Sequence, residues 1–223
     1  MVTLRVVAGV AVVAISIMAP ASGAGAESLR VDFTGALFAQ APPDGSEAAL
    51  QTATAGPKPK FGEKDSWRWM LQVGGAFEVR DSDNRFMLLG GGVSYFITDD
   101  LSLDLELNGM YFDQNGDDAF GVNIALLLRW HFVARDTWSI YLDGGAGVLE
   151  TTRKVPGSSP QEPDGGSRFN FTPQAGGGFT LALDEHTRFF AGIRWYHISN
   201  AQLFEDNPGR DHIYLYAGVS LPF

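Results

Sequence analysis

From Trp67 to the C-terminus the chain alternates apolar and polar residues with a period of two. The clearest stretch is LSLDLELNGMY, where Leu101, Leu103, Leu105 and Leu107 take one parity and Ser102, Asp104, Glu106 and Asn108 take the other. Successive side chains of a strand point to opposite faces, so this is a strand with one apolar and one polar face. Trp67, Trp69, Leu71, Val73 and Phe77 alternate in the same way with Arg68, Gln72 and Glu78. Phe120, Val122, Ile124, Leu126, Leu128 and Trp130 alternate with Gly121, Asn123 and Arg129, and Phe169, Phe171, Ala175, Phe179 and Leu181 with Asn170, Thr172, Gln174 and Thr180. The pattern predicts eight strands, over 67–80, 85–97, 101–113, 119–133, 138–151, 168–183, 188–199 and 211–223.

Many of these strands exceed the ~5–6 residues usual in soluble sheets and suit the ~9–11 that a tilted strand needs to cross a bilayer. The connectors alternate as well. TDD (98–100), ARDT (134–137) and DEHT (184–187) are tight turns, whereas 152–167 and 200–210 are long. An even strand count with tight turns at one end and long loops at the other is the plan of an outer-membrane barrel, tight turns facing the periplasm. Several polar-face positions are glycine (Gly90, Gly92, Gly145, Gly147, Gly176, Gly178 and Gly192), as a narrow barrel with a filled interior requires. Asp104, Glu106, Arg129 and Arg194 would pair inside it, and Trp130 and Trp138 would sit in the periplasmic aromatic girdle. The final stretch, HIYLYAGVSLPF, resembles the terminal strand of bacterial outer-membrane barrels. The expected fold is all-β, an eight-stranded antiparallel transmembrane β-barrel over residues 65–223.

The N-terminal part reads differently. Residues 1–26 have Arg5, an apolar run from Val6 to Met18 and the small-residue pattern AGA at 24–26, the marks of a secretory signal peptide. Residues 27–64, rich in Ala, Pro, Gly and Gln, are expected to form a poorly ordered periplasmic leader. The formal charge of −10 argues against a nucleic-acid partner, and the absence of cysteine adds nothing about redox compartment. The glycine clusters at 90–92, 144–147 and 176–178 are not phosphate loops, because no helix follows them.

Candidate chemistry is concentrated in WYHISNAQLFEDNPGRDH, residues 195–212. Phe189, Ala191, Ile193 and Trp195 form the apolar face of the seventh strand, and His197 and Ser199 share their parity. A hairpin loop centred on Phe204 pairs Trp195 with Ile213, Ile193 with Leu215, Ala191 with Ala217 and Phe189 with Val219. The same register sets His197 opposite Asp211 on the outward face, and a slip of one residue would separate them. A carboxylate, an imidazole and a hydroxyl in line can make the hydroxyl a nucleophile: His197 takes the Ser199 proton and Asp211 fixes the imidazole tautomer. Asn200 and Asn207 could donate to an oxyanion. The competing reading of the same residues is a polar rim at the headgroups. His131 and His186 read as structural, and His212 points into the lumen.

HISNA followed by NPGRD, just before the last strand, resembles the lipid A 3-O-deacylase family of outer-membrane barrels, PagL-like proteins also called acyloxyacyl hydrolases. The family motif, His-x-Ser-Asn with an acid downstream, matches His197, Ser199 and Asn200, and Asn207 falls at the spacing of a second Asn implicated in oxyanion binding. The acid is usually Glu where this chain has Asp211, so the loop acids Glu205 and Asp206 stay open as alternatives. The resemblance implies a serine esterase of the bacterial outer membrane that hydrolyses the 3-O-linked acyl chain of lipid A in lipopolysaccharide, with no metal or other cofactor. The alternative is a non-enzymatic small barrel serving as an anchor or adhesion module. Oligomeric state, monomer or homodimer, stays open.

Overall fold

A computed structural model describes residues 60–80, 84–158 and 165–223. The expected signal peptide and the leader up to residue 59 lie outside the described residues. Nine strands follow in chain order: β1 (Trp67–Glu78), β2 (Arg85–Thr98), β3 (Leu101–Asp113), β4 (Ala119–Ala134), β5 (Trp138–Val155), β6 (Ser167–Phe171), β7 (Gln174–Ala182), β8 (Arg188–Ile198) and β9 (Arg210–Pro222). Each is antiparallel to its neighbours, β1 pairs with β9, and β4 pairs with β5, so the sheet closes on itself. β6 and β7 are two halves of one stave, both paired with β5, and the cylinder has eight staves.

That split corrects the unbroken strand expected over 168–183. Proline has no N–H for the ladder, and the break falls at Pro173. Thr172 exchanges backbone hydrogen bonds with Gly147, and the Pro173 carbonyl accepts from His197 N–H at 2.9 Å. Above the break, Phe171 bridges to Ser199. The proline therefore shapes the wall beside the residues singled out for chemistry.

Burial is inverted relative to a soluble protein. Leu89 is 71% exposed, whereas Asp104 and Arg194 are 0% exposed. An apolar band facing outward and charge facing inward is stable only where lipid replaces water on the outside. Inside, Arg194 meets Glu106 at 3.0 Å and Asp143 at 2.8 Å. Arg129 meets Asp104 at 3.2 Å and Asp143 at 3.4 Å. Gln72 donates to Glu106 at 2.9 Å and Tyr216 to Asp143 at 3.1 Å. Aromatic rings fill the rest by lying over glycines: a side chain at Gly192 would begin 2.5 Å from the Tyr216 hydroxyl, and one at Gly178 2.6 Å from that of Tyr141. The space left among Phe61, Arg68, Arg129 and Phe190 is about 10 Å³.

At the tight-turn end, residues 60–66 are tied to the turn between β2 and β3. Asp100 N–H donates to the Gly62 carbonyl at 2.8 Å, and Lys64 N–H donates to Asp99 Oδ1 at 2.9 Å. Phe61 packs edge-on against His131, centroids 5.0 Å apart, with the Arg188 guanidinium 3.9 Å from its ring centroid. On the outer wall at this end Trp69 stacks on Phe223 and Trp67 packs on Tyr95, while Trp130 and Trp138 are exposed, an aromatic girdle. His131, its Nδ1 2.8 Å from Ser139 Oγ, and His212 are both buried in the lumen.

Candidate active site

β8 and β9 meet in the register His197↔Asp211, Trp195↔Ile213, Ile193↔Leu215, Ala191↔Ala217 and Phe189↔Val219. The apolar outer positions match one another, and the lumen positions pair small with large, Gly192 with Tyr216 and Phe190 with Gly218. That complementarity selects one register, because a slip would turn one strand's apolar set into the lumen.

At the long-loop end of this hairpin, His197 Nδ1 lies 2.7 Å from Asp211 Oδ1. A carboxylate only accepts, so Nδ1 carries the hydrogen, and in the neutral imidazole Nε2 keeps its lone pair. Both side chains are partly accessible, 26% and 36% exposed. Ser199 follows on the same face, its backbone held by N–H donation to Phe171 O at 3.2 Å and by acceptance from Phe171 N–H at 2.7 Å. Gly209, at φ +40°, crosses above both: a methyl group there would sit 3.4 Å from His197 Cε1, 3.7 Å from Nε2 and 3.9 Å from Ser199 Cβ. The free imidazole nitrogen and the serine thus border one small space.

The two asparagines divide their tasks. Asn200 is 1% exposed and turned inward. Its Nδ2 donates to the Asp206 carbonyl at 2.6 Å and to Ser167 Oγ at 3.2 Å, and its Oδ1 accepts from Gln202 N–H at 2.9 Å. These bonds hold Ala201 and Gln202 in left-handed conformations, φ 52° and 63°, at the chain reversal after the serine. Asn207 accepts the Asn200 N–H on Oδ1 at 2.9 Å, which leaves its Nδ2 as the uncommitted donor. Glu205 and Asp206 are exposed on the loop, and it is Asp211 that pairs with the imidazole. Two residues unassigned from sequence join the cluster: Gly209, signalled only by a Pro-Gly turn, and Trp195, whose indole N–H donates to Asp211 Oδ1 at 3.0 Å. Among the described residues no group of three or more His, Cys, Asp or Glu side chains is placed to hold a metal ion.

A closed barrel with lipid-compatible walls and a polar cluster at one rim defines the class, an outer-membrane β-barrel. The sequence profile of the lipid A 3-O-deacylase (PagL) family matches residues 86–220, and the chain belongs to that family. Among solved structures, the outer membrane enzyme PagL aligns over 70% of this chain and 99% of its own, with a TM-score of 0.52 and 21% identity. Neisserial surface protein A aligns over 72% of this chain and 98% of its own, with a TM-score of 0.52 and 16% identity. At these identities the likeness is one of fold. No curated protein sequence matches the chain. Membership of this family places the protein in the bacterial outer membrane, among lipid A deacylases.

Proposed function

We propose that the protein is a serine esterase that removes the 3-O-linked acyl chain of lipid A at the outer rim of its own wall. In this reading Ser199 Oγ attacks the acyl carbonyl while His197 Nε2 takes its proton, and Asp211 stabilises the imidazolium through Nδ1–H. The carbonyl oxygen becomes an oxyanion that accepts from Asn207 Nδ2, while Asn200 supports the loop that presents Asn207. His197 then protonates the departing sugar oxygen. Water, deprotonated by the same imidazole, attacks the acyl-serine and frees a 3-hydroxy fatty acid, restoring Ser199. No metal enters the scheme.

The observation that carries this reading is the 2.7 Å contact between His197 and Asp211 on the outward face, beside Ser199. A rim that needed only polarity would not require a carboxylate, an imidazole and a serine in this hydrogen-bonded order. The location also suits the substrate. Lipid A lies in the outer leaflet, and a cluster on the wall meets its ester linkage without extraction of the lipid. The test is the mass spectrum of lipid A from cells with and without the protein. Loss of one 3-hydroxyacyl chain is expected; an unchanged spectrum rejects the reading, and a gain of mass by one acyl chain indicates a transferase instead.

Gly209 supplies a second, steric prediction. Its left-handed φ disfavours any side chain, and a branched one would enter the space shared by His197 and Ser199. Gly209→Val should cut kcat/KM about 100-fold or more, the scale expected when a reacting group is displaced by about 1 Å. Kinetics on purified lipid A in detergent micelles would read it, and an undiminished rate would place the ester elsewhere.

A further inference from the structure

Trp195 has no task in the scheme above. By parity it is one more apolar residue of the outer wall, and the residue is 43% exposed. A tryptophan at a membrane interface needs only a wet partner for its N–H, and headgroups or water supply one. This indole is aimed elsewhere. Its Nε1–H donates to Asp211 Oδ1 at 3.0 Å, the oxygen that also faces His197 Nδ1 at 2.7 Å. Its ring lies along the imidazole, centroids 5.6 Å apart and planes 24° from parallel. The register accounts for the convergence: Trp195 and His197 are successive outward residues of β8, and Asp211 lies diagonal to Trp195 across the pair with β9.

An aspartate held by one donor can still rotate its carboxylate. Two donors converging on one oxygen, from residues fixed on the same strand, choose which oxygen faces the imidazole and hold it there. The indole face beside the imidazole also favours the cation formed when the serine proton arrives. We infer that Trp195 is a positioning residue, acting through Asp211 and His197 rather than on the substrate. The catalytic consequence rests on the serine-esterase reading; the positioning itself does not.

Two measurements test it. Trp195→Phe keeps an aromatic ring and removes the N–H. It should lower kcat about tenfold, the scale of one hydrogen bond to a charged group, with KM unchanged. Introduced into Asp211→Ala, the same change should cost nothing further, because residues acting through one contact are not additive. Independently of turnover, the Nδ1 proton of His197 should give a hydrogen-bonded resonance in ¹⁵N-histidine spectra of the detergent-solubilised barrel. That resonance should weaken in Trp195→Phe and vanish in Asp211→Ala. An unchanged resonance in Trp195→Phe overturns the inference, as does a raised KM at constant kcat or a full multiplicative loss in the double variant. If the protein releases no acyl chain at all, the esterase reading falls, and the resonance alone decides the positioning of Asp211 by Trp195.

Discussion

Ser199→Ala should abolish release of the acyl chain while the barrel still folds. The side chain is half-buried at the rim, and its backbone, not its hydroxyl, makes the bridge to Phe171, so the hydroxyl is free to be removed without loosening the wall. Loss of a nucleophile in a serine–histidine–acid unit costs about 10⁶-fold in kcat in a well-studied hydrolase, and residual rates of about 10³–10⁴-fold over water come from binding and oxyanion contacts. A fall of at least about 10³-fold is therefore expected. His197→Ala should cost about as much, and the double variant no more than either, because the residues act as a unit. Lipid A mass spectrometry and a detergent assay would both read this. Near-normal activity in Ser199→Ala, with the heat-modifiable mobility of a folded barrel, would end the covalent scheme.

Arg194→Met should produce the largest loss of stability. The guanidinium is wholly buried between Glu106 and Asp143, and the lumen network holds three carboxylates against two arginines, Arg129 and Arg194. Removing one cation leaves three carboxylates to share Arg129 in a dry interior, and breaking a buried ion network in this way typically costs about 3–5 kcal/mol. Urea titration of the detergent-solubilised barrel should show that drop. Adding Glu106→Gln should recover part of it, since one of the excess negative charges goes with it. A single variant as stable as the parent would mean that the carboxylates take up protons or water freely, and that the network is not what sets the lumen.

Much of the barrel could be read from period two alone. LSLDLELNGMY forms β3 with the parity that its leucines dictate, and the β8–β9 register follows from matching apolar positions and setting Gly192 against Tyr216. The break at Pro173 escaped that pattern because the parity runs through it in phase: Asn170, Thr172 and Gln174 all remain on the lumen side. Only the missing proline N–H marked it. The hold of Phe61 on the tight-turn end was also invisible, since one aromatic residue in a Pro- and Gly-rich stretch carries no periodicity. At the site, parity brought His197 and Asp211 together and sets Asn200 inward with Tyr196 and Ile198, whereas the left-handed backbone at Ala201 and Gln202 is something non-glycine residues give no warning of. The aim of the Trp195 indole needed side-chain coordinates, as strand pattern says only that the ring faces out.

The side-opening of the cluster has a kinetic consequence. With His197 and Ser199 on the flank and a filled lumen, encounters between protein and glycolipid are collisions within a surface. The governing quantity is the mole fraction of glycolipid in that surface, not its molarity in the tube. Diluting lipid A with inert detergent at fixed bulk concentration should slow turnover, and crowding the leaflet should hasten it.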